Sequence, residues 1–264
     1  MSDARLHARS LRLAYGSNVV VDGLDLDVPD GAVTAIVGPN GCGKSTLLRA
    51  LGRLMRPDAG EVLLDGRRID RIATRDVARI IGVLPQSPVA PAGLTVADLV
   101  MRGRHPHRNW FRQWSAGDRR IVAEALEWTD ILDLAGRALD TLSGGQRQRA
   151  WISMALAQGT DVLLLDEPTT YLDLAHQIDV LDLIDRLHRD KGRTIVMVLH
   201  DLNLAARYAT HLVAMREGRI VAQGPPAEVL TVPLLDEVFG LRALVIPDPV
   251  TGTPLIIPQR RNLL

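Results

Sequence analysis

The sequence has a single cysteine, Cys42, so no intrachain disulfide can form and a cysteine-ligated zinc cluster is excluded. Aromatic residues make up only 3%, so a core must be built from Leu, Val, Ile and Ala. Neither sign of charge is in excess. Lys plus Arg and Asp plus Glu number 31 each, and no whole-chain field attracts nucleic acid or an acidic surface. Long apolar runs are missing as well: Val162 to Leu165 and Ile195 to Leu199 fall far below the ~20 residues that span a bilayer. Met1 to Arg5 lacks the apolar stretch of a signal peptide. The chain is expected in the cytosol, where it can still sit against a membrane protein.

What is present is a hydrophobic fraction of 47%, enough for a sizeable core, in short runs that suit a parallel sheet flanked by helices. Leu11 and Leu13 alternate with polar neighbours, as do Leu24, Leu26 and Val28. Residues 5 to 28 therefore read as short strands around a Gly16-Ser17 turn. Val33 to Val37 predicts an apolar strand, and a helix is expected from Thr46. Val62 to Leu64 with a turn at Asp65-Gly66 predicts a hairpin-like stretch, and Ile80 to Leu84 a strand ending at Pro85-Gln86. Ser87 to Gly93, with its prolines and glycine, reads as a joint.

From Thr95 to about Thr141 the pattern turns helical, with Thr95-x-x-Asp98 and Ser115-x-x-Asp118 as N-caps followed by an acidic third residue. Ile121, Val122, Ala125 and Leu126 then share one helical face. Strands return at Val162 to Leu165, Thr194 to Leu199 and Leu212 to Met215. The expected architecture is α/β, with a nucleotide-binding core of 1–90 and 155–264 and an inserted helical subdomain at 91–154.

Gly38-Pro39-Asn40-Gly41-Cys42-Gly43-Lys44-Ser45 matches the phosphate loop G-x-x-x-x-G-K-[ST] in full, between an apolar strand and a helix. Glycines let backbone amides wrap phosphate oxygens, and the helix N-terminus adds its partial positive charge. Lys44 can then reach the β- and γ-phosphates of ATP, and the Ser45 hydroxyl can hold Mg²⁺, with Thr46 next in the helix. Cys42 reads as a small filler whose backbone does the binding, though alkylation there should block ATP. A second element fits the same chemistry: Val162 to Leu165 is a buried-strand pattern ending in Asp166 and Glu167. Asp166 can hold Mg²⁺, and Glu167 is placed to activate the attacking water, a role worth roughly 10²–10⁴ in rate.

Leu142-Ser143-Gly144-Gly145-Gln146 is more specific. Ser143 caps a helix, Gly144 and Gly145 expose amides, and the dipole adds to the field, which makes a second anion site. This stretch resembles the signature of ATP-binding-cassette (ABC) ATPases. The resemblance implies a P-loop, RecA-like core with a mostly parallel sheet, an N-terminal antiparallel β subdomain and the helical insert. It also implies roles in chain order. Tyr15 resembles the aromatic that stacks on adenine. Gln86 resembles the glutamine that senses the γ-phosphate and reaches Mg²⁺, and Asp173 the D-loop aspartate that contacts the opposite subunit. His200 resembles the switch histidine on the γ-phosphate.

In this family two cassettes pair head to tail, and each ATP lies between the phosphate loop of one and the signature, here Ser143 to Gln146, of the other. The single copy of each motif here implies pairing with a second ATPase subunit, a homodimer being expected. Driving a closed state from 1% to 99% needs about 5.5 kcal/mol of differential binding, which contacts to the γ-phosphate can supply.

Arg102-Gly103-Arg104-His105-Pro106-His107 with Trp110 and Trp114, Thr141 to Trp151, Glu167 to Asp173, His200 to Asn203 and the tail Asp248 to Pro254 resemble importer ATPases for iron–siderophore complexes, of the ferric-enterobactin or ferric-citrate type. Tyr171 stands where those ATPases often have tryptophan. Implied partners are polytopic membrane permease subunits, which the Arg102 to Trp114 stretch would meet, and an extracytoplasmic substrate-binding protein. The implied location is the cytoplasmic face of the membrane. Haem, cobalamin or another chelate is the alternative cargo. The arginines and aromatics of 102–114 could instead suit nucleic acid, which the neutral chain disfavours, and His105-x-His107 lacks the carboxylate or cysteine that would complete a metal site. A soluble cassette protein of DNA repair or translation would bring a second cassette or a long coiled coil, and a P-loop kinase leaves Leu142 to Gln146 unexplained.

Overall fold

A computed structural model describes residues 4–108 and 115–259. Trp110 and Trp114 lie outside the described residues. In chain order the elements begin with two long strands, β1 (Ala4–Tyr15) and β2 (Asn18–Pro29), then β3 (Val33–Val37), α1 (Lys44–Leu51), β4 (Ala59–Leu64) and β5 (Arg67–Arg68). Next come α2 (Thr74–Ile80), β6 (Ile81–Leu84), α3 (Val96–Arg102), α4 (Ala116–Trp128), α5 (Gly144–Ala157), β7 (Val162–Asp166) and α6 (Leu174–Lys191). The remainder is β8 (Thr194–Val198), α7 (Leu202–Tyr208), β9 (His211–Arg216), β10 (Arg219–Gly224), α8 (Pro226–Val229), α9 (Val232–Phe239), β11 (Ala243–Pro247) and β12 (Pro254–Pro258).

The chain divides into two compact units, one from Met1–Arg71 and Thr194–Leu264, the other Ile72–Arg193. These cuts differ from the core and insert expected at 1–90, 91–154 and 155–264. In the first unit β2, β1, β4 and β5 form an antiparallel sheet in that order. Its alternation buries Leu11, Leu13, Leu24, Leu26 and Val28 on one face. Beside it β3 lies between β8 and β9, parallel to both, and β10 closes on β9 antiparallel. Every residue of β3 and β8 is buried, as strands covered on both faces must be. β11 and β12 form a hairpin.

The second unit pairs β6 with β7 in parallel and carries α2 to α6. Thr95 and Ser115 cap α3 and α4 with full capping boxes to Asp98 and Asp118. α4 buries Val122, Ala125 and Leu126. α5 is held by Ala150, Trp151, Ile152, Ala155 and Leu156, the larger apolar ones each worth roughly 1.5–3 kcal/mol. Helix α2 extends through Ile80, where a strand was expected, and strand geometry begins at Ile81. The fold class is α/β with parallel pairing at β3, β6, β7, β8 and β9, an antiparallel β subdomain and a helical one. Among the described residues no helix is long and apolar enough to cross a membrane.

Candidate functional site

In the first unit, β3 ends at Val37 and the phosphate loop leaves its carboxyl end. Gly38 turns at φ +155°, and a Cβ there would lie 2.2 Å from Met215 O and 2.8 Å from Cys42 Sγ, so only glycine fits. Gly43 precedes α1 in the left-handed conformation, and no side chain caps that helix. A glycine loop running into a helix N-terminus is the arrangement that suits a phosphate. Lys44, nearly buried, folds over the loop and donates from Nζ to the carbonyls of Gly38 and Pro39, both at 2.9 Å. Thr46 is buried and Ser45 half-buried.

Cys42 is also buried, and burial pushes its thiol up, with Lys44 opposing. Its backbone carbonyl accepts from Gly218 N–H at 3.0 Å. Tyr15, half-exposed at the end of β1, accepts from Arg49 Nη1 of α1 at 3.3 Å, which puts an aromatic beside the helix that starts at Lys44. β8 is the parallel neighbour of β3, with Leu199 N–H donating to Ile36 O. His200, exposed, therefore leaves the same end of the sheet as the phosphate loop. The next residue, Asp201, caps α7 through Leu204 N–H at 2.9 Å.

The second unit brings another set together. β6 and β7 pair in parallel with Leu84 beside Leu165, so Gln86 and Asp166-Glu167 leave the same edge. Gln86 Nε2 donates to Glu167 Oε2 at 2.6 Å, and Thr170 Oγ1 donates to the same oxygen at 2.9 Å. Glu167 adopts φ 53° and Tyr171 φ 66°, left-handed values that non-glycine residues hold only when neighbours fix them. Asp166 is 2% exposed, a buried carboxylate suited to a cation.

The signature residues form a reciprocal cap. Ser143 Oγ accepts from Gln146 N–H at 3.3 Å, and Gln146 Oε1 accepts from Ser143 N–H at 3.2 Å. The Ser143 hydroxyl keeps its O–H to donate elsewhere. Asp173 caps α6, accepting from His176 N–H at 3.0 Å and His176 Nδ1–H at 2.7 Å. Its side chain is taken up by its own helix, and its carboxyl is held low by those two bonds, the backbone one first.

Other residues singled out from sequence have local partners. Arg104 is buried, pairing with Asp118 at 3.1 Å and donating to Ala157 O at 2.8 Å. His107 Nε2–H donates to Gln158 O at 2.7 Å, and among the described residues no group of three or more His, Cys, Asp or Glu could hold a metal. Asn203 pairs with β12, just past the 248–254 tail: Asn203 Nδ2 donates to Ile256 O at 3.2 Å, and Ile256 N–H to Asn203 Oδ1 at 2.7 Å. Sequence reasoning gave no role to Thr170, His176 or Arg49. The first lay inside a stretch noted only for its family likeness, while His176 and Arg49 carried no motif.

A helix N-terminus behind a glycine loop, a strand ending in two carboxylates and a capped signature helix define a cassette ATPase. The "ABC transporter" family model matches residues 21–170, and the chain belongs to that family. It is 55% identical over 261 residues to the ferric enterobactin transport ATP-binding protein FepC of Escherichia coli (strain K12), covering 99% of this chain and 96% of that one. It is also 55% identical over 262 residues to the probable siderophore transport system ATP-binding protein YusV of Bacillus subtilis (strain 168), covering 99% and 95%. Its fold matches a solved ABC transporter, described as of metal-chelate type and in an inward-facing conformation. That match has a TM-score of 0.85 and 30% identity and covers 98% of this chain and 99% of that one.

Proposed function

We propose that this protein is the ATP-hydrolysing, energy-coupling subunit of an importer for iron–siderophore complexes. The observation that carries the reading is end-to-end likeness to transport ATP-binding proteins named for ferric enterobactin in Escherichia coli and for a siderophore system in Bacillus subtilis. The motif geometry supplies the chemistry.

Gly38, Pro39, Asn40, Gly41, Cys42 and Gly43 offer backbone amides to the triphosphate, and Lys44 exchanges its loop carbonyls for phosphate oxygens. Tyr15 stacks on the base. Ser45, Gln86 and Asp166 would hold Mg²⁺, with Thr46 beside Ser45, and the metal would offset phosphate charge when bound. Glu167 takes a proton from water as the water oxygen attacks the γ-phosphorus. The bond to the β–γ bridging oxygen breaks, and ADP and phosphate leave. Gln86 and Thr170 orient that carboxylate by their bonds to Oε2. His200 stabilises the γ-phosphate.

The Ser143 hydroxyl and the first-turn amides of Gly144 and Gly145, with Gln146, close over the nucleotide of a second subunit, and Asp173 meets that subunit too. This pairing is required because the chain carries one phosphate loop and one signature. The dimer works at the cytoplasmic face of the membrane with permease subunits, downstream of an extracytoplasmic binding protein.

Uptake of a radiolabelled ferric siderophore by cells lacking their own such ATPase tests the reading. The wild-type chain with its cognate permease should restore uptake and Glu167→Gln should not. Restored uptake of haem but not of any ferric siderophore would move the cargo to the alternative.

A further inference from the structure

His176 lies on α6, outside the phosphate loop and signature, and no step above uses it. Its Nδ1–H donates to Asp173 Oδ1 at 2.7 Å, and its backbone N–H reaches the same oxygen at 3.0 Å. A carboxylate only accepts, so the ring proton sits on Nδ1. The ring's other edge lies against the signature. A Cβ on Gly145 would be 2.6 Å from His176 Cδ2 and 3.2 Å from Cγ. Any side chain at 145 must displace the ring, and the ring's bond to Asp173 resists that displacement. Gly144 is approached from the same side, at 3.8 Å from its own would-be Cβ, by Leu172 Cδ2.

Gly144 and Gly145 open α5, so their amides point where the helix begins. Asp173 opens α6, and the segment behind it is tied back to Glu167: Leu172 N–H donates to Thr169 O at 3.4 Å, and Thr170 Oγ1 to Glu167 Oε2 at 2.9 Å. The His176 ring reaches both parts of this arrangement, Asp173 through its hydrogen bond and Gly145 by packing.

We infer that His176 is a positioning residue for ATP hydrolysis, fixing the signature amides of α5 relative to the segment that carries Glu167 and Asp173. The inference rests on the signature role proposed above. Its effect is transmitted through Gly145, since the ring is half-exposed and lies against that glycine.

The test uses the full chain. ATP-driven dimerisation of Glu167→Gln is measured by sedimentation, with and without His176→Ala, and ATP affinity by fluorescent-nucleotide titration. His176→Ala should require about tenfold more protein to dimerise, while ATP affinity stays within about twofold. In the otherwise native chain it should lower kcat about tenfold with little change in KM. His176→Phe, which keeps a ring against Gly145 and drops the hydrogen bond, should fall between and serves if the alanine variant does not fold. Dimerisation and kcat within about twofold of the parent in either variant overturn the inference. If Glu167→Gln itself fails to dimerise with ATP, the role given to Glu167 falls instead, and kcat of the His176 variants still decides.

Discussion

Gln86 and Glu167, 81 residues apart in sequence, meet at 2.6 Å where β6 and β7 end side by side. The amide donates to Oε2, and that bond fixes which way the carboxylate faces. Gln86→Ala should lower kcat by roughly tenfold or more, the usual cost of a mispositioned base. Steady-state ATPase kinetics check this, and an unchanged kcat would deny Gln86 a share in placing Glu167.

Lys44 has two carbonyl partners in its own loop, and phosphate contact must replace them. Lys44→Ala should weaken ATP binding by roughly 1.5–3 kcal/mol, the worth of hydrogen bonds to a charged group, which is tens of fold or more. Nucleotide titration reads it directly. Unchanged affinity would contradict the phosphate-loop assignment.

The expectation that alkylating Cys42 blocks ATP meets a physical obstacle in the fold. The thiol is buried and its pKa is pushed up by burial, so little thiolate is presented at neutral pH. Labelling by a maleimide should be slow in the native protein and fast after denaturation. Equal rates would mean the loop opens readily.

Arg207 on α7 and Asp248 after β11 pair at 2.6 Å, and Asp248 also accepts from Val250 N–H at 2.8 Å. The arginine first, then the backbone donors, hold its carboxyl below the ordinary range. A depressed folded-state pKa stabilises fully above the unfolded value of about 3.9, and the contribution is lost as pH falls through the folded value. Thermal melts should therefore show Asp248→Asn less stable than the parent at pH 7, with the gap closing below about pH 4. A gap that persists in acid would rule out the ion pair as its source.

Local chemistry was legible in the sequence, and distant pairing was not. The caps at Thr95, Ser115 and Ser143 need only a side chain and an amide three residues on, so spacing revealed them. β3 with its loop was equally plain, because a wholly apolar strand before a glycine run has few other readings. Helix α2 was missed because it buries only Val77 and lacks a side-chain cap. Helix α6 was missed despite its Asp173 cap and a left-handed Gly192 at its end. The hairpin of β11 and β12 was seen only as a familiar tail, since Asn203 and Arg207 hold it from more than forty residues away. Gln86 beside Glu167 belongs to the same class: family resemblance could name both, but only the parallel register of β6 and β7 sets them at one edge.

Glu167 in the base role is the centre of the account, and one measurement tests it most directly. Glu167→Gln should bind ATP as the parent does, lose turnover by roughly 10²-fold or more, and accumulate as an ATP-bound dimer on a sizing column. Near-parental turnover by that variant would contradict the account.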